Sequence, residues 1–373
     1  MANLEVKTKM SPLQLAIIVV TAMVGMPGQT LAPVLKAAGH AAWLSIIVGT
    51  VVYYGMAWLM VKLGEAFPDE SFAEYLPRIF GRWPGGAVVW LFVLIFFLQY
   101  GNVLHVMSRE ITFFMFDQTP FEVVAIGLLT VCAYCALQDW GTILRVMQFI
   151  FFTAFPGWLF LLLVSLLSFR FINFLPLWPE DAAGVAAGVM HSWSLFQGYE
   201  CVLLLLPLVY KGNIKPARTV AAALALNTGV FLLWAVLQIG ALTLEGAKNT
   251  PFPIMTVIRN VEIPGTFLER LDTYFLLFWI QLVFASITLA IYFMAQSLTL
   301  LYRYADHRPF VLALVPLFFL LGDASHHIRV QEAVKLAAEW TGLPFSLGVI
   351  PLIYAFVWWR RRQRRGQGTI TKL

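Results

Sequence analysis

Apolar runs long enough to cross a bilayer follow one another almost from end to end of this chain, separated by polar stretches, of which Gly64 to Gly85 holds a short amphipathic piece around Phe72 to Ile79. A membrane-spanning helix needs about 20 predominantly apolar residues. Ten runs approach or exceed that length. They cover about Pro12–Leu35, Ala42–Leu63, Gly86–Phe116, Phe121–Leu137, Ile143–Phe169, Val185–Val209, Ala217–Leu242, Thr266–Leu301, Pro309–Leu321 and Pro344–Trp359, the ninth being the shortest. Composition excludes the alternatives. Charged residues are 12% and hydrophobic residues 60% of the 373, whereas soluble domains carry about 25% charged and about 45–50% apolar residues. So few charges cannot cover a soluble surface, and a chain this apolar is not disordered. The expected fold is an all-α polytopic membrane protein with about ten transmembrane helices and no large soluble domain.

Charge placement orients it. With ten spans, both termini lie on one side. Placing them there with the turns after spans two, four, six and eight collects 17 of the 25 Lys and Arg residues. Cytoplasmic loops carry the basic excess, so both termini are expected in the cytoplasm. The net charge of +5 then reflects topology and not a nucleic-acid partner. The basic run from Arg360 to Arg365 reads as a stop-transfer signal and an anchor for membrane lipids. The polar start from Met1 to Ser11 reads as preceding a retained first helix, not a cleaved signal. Cys132, Cys135 and Cys201 lie inside apolar runs, which argues against a disulfide framework or a metal role.

Two runs are broken in corresponding places. The first contains Gly25-Met26-Pro27-Gly28-Gln29-Thr30. Pro27 removes a backbone donor and clashes with the preceding turn. Gly25 and Gly28 permit unwound backbone and close approach of a ligand. The sixth run contains Phe196-Gln197-Gly198-Tyr199-Glu200. A carboxylate near the bilayer centre costs roughly 2.5–3.5 kcal/mol on insertion scales, so Glu200 is either part of a site or a structural carboxyl bonding a free N–H at the break. Interrupted helices at matching positions of two halves point to a transporter-type site at the midplane. Five spans is an odd number, so the halves are inverted: 1–169 forms the first five-helix repeat, 185–359 the second, and 360–373 a basic tail.

Other polar residues in the spans are candidates for the same cavity. In the third run Gln99 and Asn102 share a helical face with His105, while Arg109 and Glu110 read as an interfacial pair. In the eighth, Gln281 and Ser286 lie deep, and Glu269, Arg270 and Asp272 form a charge cluster near the interface. The candidate ligand-binding set is therefore Gly25, Pro27, Gly28, Gln29, Thr30, Gln99, Asn102, Phe196, Gly198, Tyr199, Glu200, Gln281 and Ser286. There is no phosphate-binding loop and no nucleophile elbow. His326 and His327 sit in an outer loop beside Asp323, where a metal site is conceivable, although exposed loop histidines are usually just solvated. Neither an enzyme activity nor a cofactor is indicated.

Three stretches carry a resemblance. They are Phe67-Pro68 with Tyr75, Gly81 and Gly85; Phe196 to Glu200 running on to Pro207; and Glu269-Arg270-Leu271-Asp272 with Trp279. Together they resemble the B-subunit family of spore germinant receptors, permease-like proteins of the amino acid–polyamine–organocation superfamily, in spacing from about Met10 to Trp359. One departure lies in the first run, where Gly25 to Pro33 holds an extra proline and one extra residue. The resemblance implies a five-plus-five inverted repeat with discontinuous helices 1 and 6. It also implies the spore inner membrane, an A-type subunit and a lipoprotein C-type subunit as partners, and a small nutrient such as an amino acid as ligand. Three functions compete: a nutrient-sensing receptor subunit, a secondary amino acid transporter, and a scaffold that binds no ligand.

Overall fold

The computed structural model describes residues 9–25, 31–179, 181–209, 215–261 and 270–367. Among these the chain is helical apart from turns and one isolated bridge between Met10 and Val209. In a bilayer every backbone polar group must be satisfied inside the protein, which leaves helices or closed barrels as spanning elements.

The first span holds α1 (Pro12–Val24) and α2 (Ala32–Ala38), and residues 26–30 between them lie outside the described ones. Ser11 starts α1 through a reciprocal box: its hydroxyl accepts from Gln14 N, and the Gln14 side chain accepts from Ser11 N. The second span is α3 (Ala42–Ala66), followed by the amphipathic α4 (Phe72–Phe80). Then come α5 (Arg82–Phe114), α6 (Phe121–Ala136) and α7 (Trp140–Val164). The sixth span is in pieces: α8 (Ala182–His191), α9 (Trp193–Phe196) and, beyond a turn, α10 (Val202–Leu205). α11 (Pro216–Leu242) is the seventh span. Two short helices, α12 (Leu244–Asn249) and α13 (Pro253–Arg259), lead on to α14 (Leu271–Tyr302). α15 (Arg308–Ala324), α16 (Ile328–Pro344) and α17 (Ile350–Gln367) complete the bundle.

One boundary differs from the sequence reading. The last span begins at Ile328, not near Pro344, and runs through a wider π turn at Phe345–Val349 into α17. Its first half carries Arg329, Glu332, Lys335 and Glu339, which lower its hydropathy. Glu339 is nevertheless paired with His191 at 2.7 Å. Arg109 and Glu110 also do not behave as a pair. Glu110 is buried with one oxygen lacking a partner among the described residues, and Arg109 is exposed.

Contacts across the bundle define its two ends. At the end holding both termini, Met10 N donates to Leu208 O at 2.7 Å, Lys9 Nζ donates to Pro207 O at 2.9 Å, and the Arg361 guanidinium donates to Ala66 O. At the distal end, Arg270 donates to Phe114 O and His105 meets Gly322. Between the ends, the perimeter exposes Val51, Phe149, Phe160, Leu312, Leu320 and Leu352. In water such a girdle would be a large unfavourable apolar surface; against lipid tails it is a solvated one. The chain is an integral membrane protein.

Candidate functional site

The break in span six is built by Gly198, whose φ of 105° lies in the left-handed region that only glycine occupies without strain. Gln197 before it is extended, so two backbone donors lose their helical partners. Glu200 answers one of them: its Oε2 accepts from Gly198 N at 2.9 Å. Its Oε1 accepts from the Ser346 hydroxyl at 3.1 Å, and Trp193 Nε1 donates to that same hydroxyl oxygen at 3.2 Å. The buried carboxyl is thus held by hydrogen bonds from its own break and from the π turn of the last span. These bonds join the break of span six to the last span.

Span one meets the break closely. A Cβ on Gly198 would stand 2.9 Å from Ala22 O and 2.7 Å from the Tyr100 hydroxyl. Tyr100 itself donates to Ala22 O at 2.9 Å. The space left by the missing side chain is therefore filled by α1 and α5. Gly25 serves a matching purpose on the other flank, since a side chain there would overlap Ser286. The Ser286 hydroxyl lies 2.6 Å from Thr21 O and 2.9 Å from Leu282 O. Gly25 and Ser286, two of the expected site residues, thus form one contact between α1 and α14.

The remaining expected residues divide. Phe196 and Tyr199 are fully buried, and both rings face Tyr53, at centroid distances of 5.2 and 6.2 Å. Gln99 and Asn102 are buried on α5. Gln281 is not brought to the break. It is part-exposed, donates to Leu277 O within its own helix, and lies five residues, or about 140° around the helix, from Ser286. Pro27, Gly28, Gln29 and Thr30 lie outside the described residues, as does Glu269. Arg270 and Asp272 do approach each other, at 3.4 Å.

Sequence reasoning missed several groups beside the break. Gln197 is fully buried, and both ends of its amide lack a partner among the described residues; so do Thr21 Oγ1 and Asn227 Oδ1. The Asn227 amide reaches Met23 of span one at 3.4 Å. Buried polar atoms are overwhelmingly hydrogen-bonded, so these three side chains stand out among the buried polar groups of spans one, six and seven. Gln197 could have been found from sequence, because it stands in the motif beside Gly198. Thr21 and Asn227 gave no such signal, since threonine and asparagine in spanning helices commonly bond their own backbone. An aromatic column continues from the break: Phe196 packs on Phe231, Phe231 on Trp234, and Trp234 on both Trp158 and Trp279. A small recess of about 70 Å³ opens elsewhere, toward the terminal end, between Trp140, Leu204, Pro207, Tyr292 and Gln296. It adjoins the half-helix leaving the break.

Ten spans with helices one and six interrupted define a permease-like membrane protein. The solved structure of MhsT in complex with L-phenylalanine shares the fold, with a TM-score of 0.68 over 93% of this chain and 97% of that one at 11% identity. A model of the spore permease family, described as spore germination protein, matches residues 9–326, and the chain belongs to that family. Curated relatives agree. Spore germination protein YndE of Bacillus subtilis (strain 168) is 24% identical over 86% of this chain and 88% of its own length. Spore germination protein GerLB of Bacillus cereus is 21% identical over 88% and 87%.

Proposed function

We propose that the chain is the nutrient-sensing subunit of a spore germinant receptor, and that its ligand is an amino acid held between the breaks of spans one and six. The observation that carries this reading is the buried polar atoms of Gln197, Thr21 and Asn227 that lack partners among the described residues, on the segments that meet at Gly198: Ala22 follows Thr21 and lies against Gly198, and Asn227 reaches Met23. Half-helix N-termini at such breaks favour a carboxylate, and unpartnered amide and hydroxyl groups suit an ammonium or a polar side chain. Family membership supports the germination role, and the amino acid in the similar MhsT complex supports the ligand class. By the same reading the protein works in the spore inner membrane with cytoplasmic termini, beside A-type and lipoprotein C-type subunits. Sensing requires only that the ligand bind one of two conformations more tightly.

The fold likeness to MhsT favours one competitor, a secondary transporter. Purified full-length protein is screened against the common L-amino acids by thermal stabilisation, then reconstituted in proteoliposomes with a radiolabelled hit. The expected result is saturable stabilisation by at least one amino acid, with affinity lowered about tenfold or more in Gln197→Ala and no uphill uptake. Folded protein that no amino acid stabilises would remove the ligand class. Accumulation that collapses with an imposed ion gradient would replace the sensor by the transporter. Gly198→Leu is unsuitable here, because its positive φ and the contacts at Ala22 and Tyr100 make it a folding variant.

A further inference from the structure

At the distal end, three residues with metal-binding side chains converge. Glu122 opens α6, and Asp323 and His326 follow one another at the end of α15. One donor atom from each lies within 4.8 Å of the other two. Asp323 Oδ1 and His326 Nδ1 are 3.9 Å apart.

A fourth residue makes this more than a surface cluster. His105 of α5 is fully buried, and its ring centroid lies 5.5 Å from that of His326. Its Nδ1 is 2.8 Å from Gly322 O. A carbonyl only accepts, so Nδ1 carries the proton and Nε2 in the neutral ring presents a lone pair. That Nε2 has no hydrogen-bond partner among the described residues. A histidine whose Nδ1–H is fixed by a backbone carbonyl, leaving Nε2 free, is the arrangement that second-shell bonds impose on metal-ligating imidazoles. Phe121 packs against both imidazoles, at 5.3 Å from His105 and 4.2 Å from His326, and restricts their rings.

We propose that Glu122, Asp323 and His326 bind a divalent first-row metal ion, with Zn2+ the best fit, at the distal ends of spans three, four and nine, and that His105, which lies outside the 4.8 Å group, moves in as the fourth donor. Two imidazoles and two carboxylates are a donor set that zinc accepts. Zinc holds such donors at about 2.0–2.2 Å, so the three clustered side chains, two exposed and one half-buried, close inward by about an ångström on binding. Two carboxylates also balance the ion's charge against the cations facing His105, which are Arg109 on its own helix and Lys335 on α16. The ion would tie α5, α6 and α15 together where they leave the membrane.

The test uses full-length protein in detergent without a polyhistidine tag. Metal content after equilibration with Zn2+ and gel filtration gives stoichiometry, and Co2+ replacement gives a visible spectrum that reports the donor set. One Zn2+ per chain is expected. Affinity should fall at least tenfold in His326→Ala and in Glu122→Gln, both surface changes that leave the core intact. His105→Gln should alter the Co2+ spectrum. Absence of bound Zn2+ in folded protein would overturn the proposal. Stoichiometry and affinity unchanged in the His326→Ala and Glu122→Gln double variant would do the same. A Co2+ spectrum unchanged in folded His105→Gln would strike His105 from the donor set.

Discussion

Glu200 receives two hydrogen bonds and, among the described residues, no cation. That arrangement predicts how substitutions rank. In Glu200→Gln the amide oxygen can still accept from Gly198 N. The new NH2 then faces Ser346, whose oxygen has a second lone pair beside the one used by Trp193. A loss of about 1 kcal/mol is expected. Glu200→Ala strands the buried Gly198 N–H and opens a cavity, and a further loss of about 1–3 kcal/mol is expected. Thermal melts in detergent would show it; equal losses in the two variants would mean the hydrogen bonds do not hold the break. The position of Glu200 was legible in the sequence because a carboxyl in an apolar run is expensive and must be explained. Its partner Ser346 was not, since a serine in a spanning helix costs little and by default bonds its own backbone, as Ser297 does with Phe293 O.

Helix α4 lies across the terminal end and is joined to α5 by a tight turn at Gly81, with φ of 94°. The two helices touch through Gly85. A Cβ there would come within 2.5 Å of the Leu76 carbonyl and Pro77 N, which are backbone atoms that cannot turn aside. Gly86, one residue on, would meet only Leu301 at 3.7 Å. Gly85→Ala is therefore expected to cost about 1–3 kcal/mol by overpacking, and Gly86→Ala little. Size-exclusion profiles after graded heating would separate them, and matching profiles would refute the close contact. The amphipathic pattern of α4 was plain from Phe72 to Ile79, because one face is apolar. The first half of the last span was not, since hydropathy registers composition and not partners. Paired with His191, Glu339 costs less in a helix than its charge suggests. The two breaks were readable as glycine and proline within apolar runs, whereas the facing of Gly25 against Ser286 depends on how distant helices cross.

For the whole molecule, the uneven placement of lysine and arginine predicts the direction of insertion. The tail supplies a physical anchor as well as a signal. Arg360 lies 4.7 Å from the Phe356 ring, Arg362 lies 5.3 Å from Trp358, and Arg361 reaches Ala66 O. Aromatic and cationic groups pair in this way at the level of lipid headgroups. A cysteine placed after Leu373 should react with an impermeant maleimide only after cells are permeabilised. The native Cys132, Cys135 and Cys201 are buried and give little background. Labelling of intact cells would reverse the orientation, and with it the side on which the four-residue cluster at the distal end meets its ion.

The clasp between Lys9 and Pro207 joins residues 198 positions apart. Ribosomes add about 5–20 residues per second, so Pro207 is made roughly 10–40 s after Lys9. Throughout that interval the backbone at Met10 has no Leu208 carbonyl to donate to, and the first span waits in the membrane before the sixth can close against it. The terminal end of the bundle is thus not closed until more than half of the chain has been made, although Lys9 and Met10 are made early.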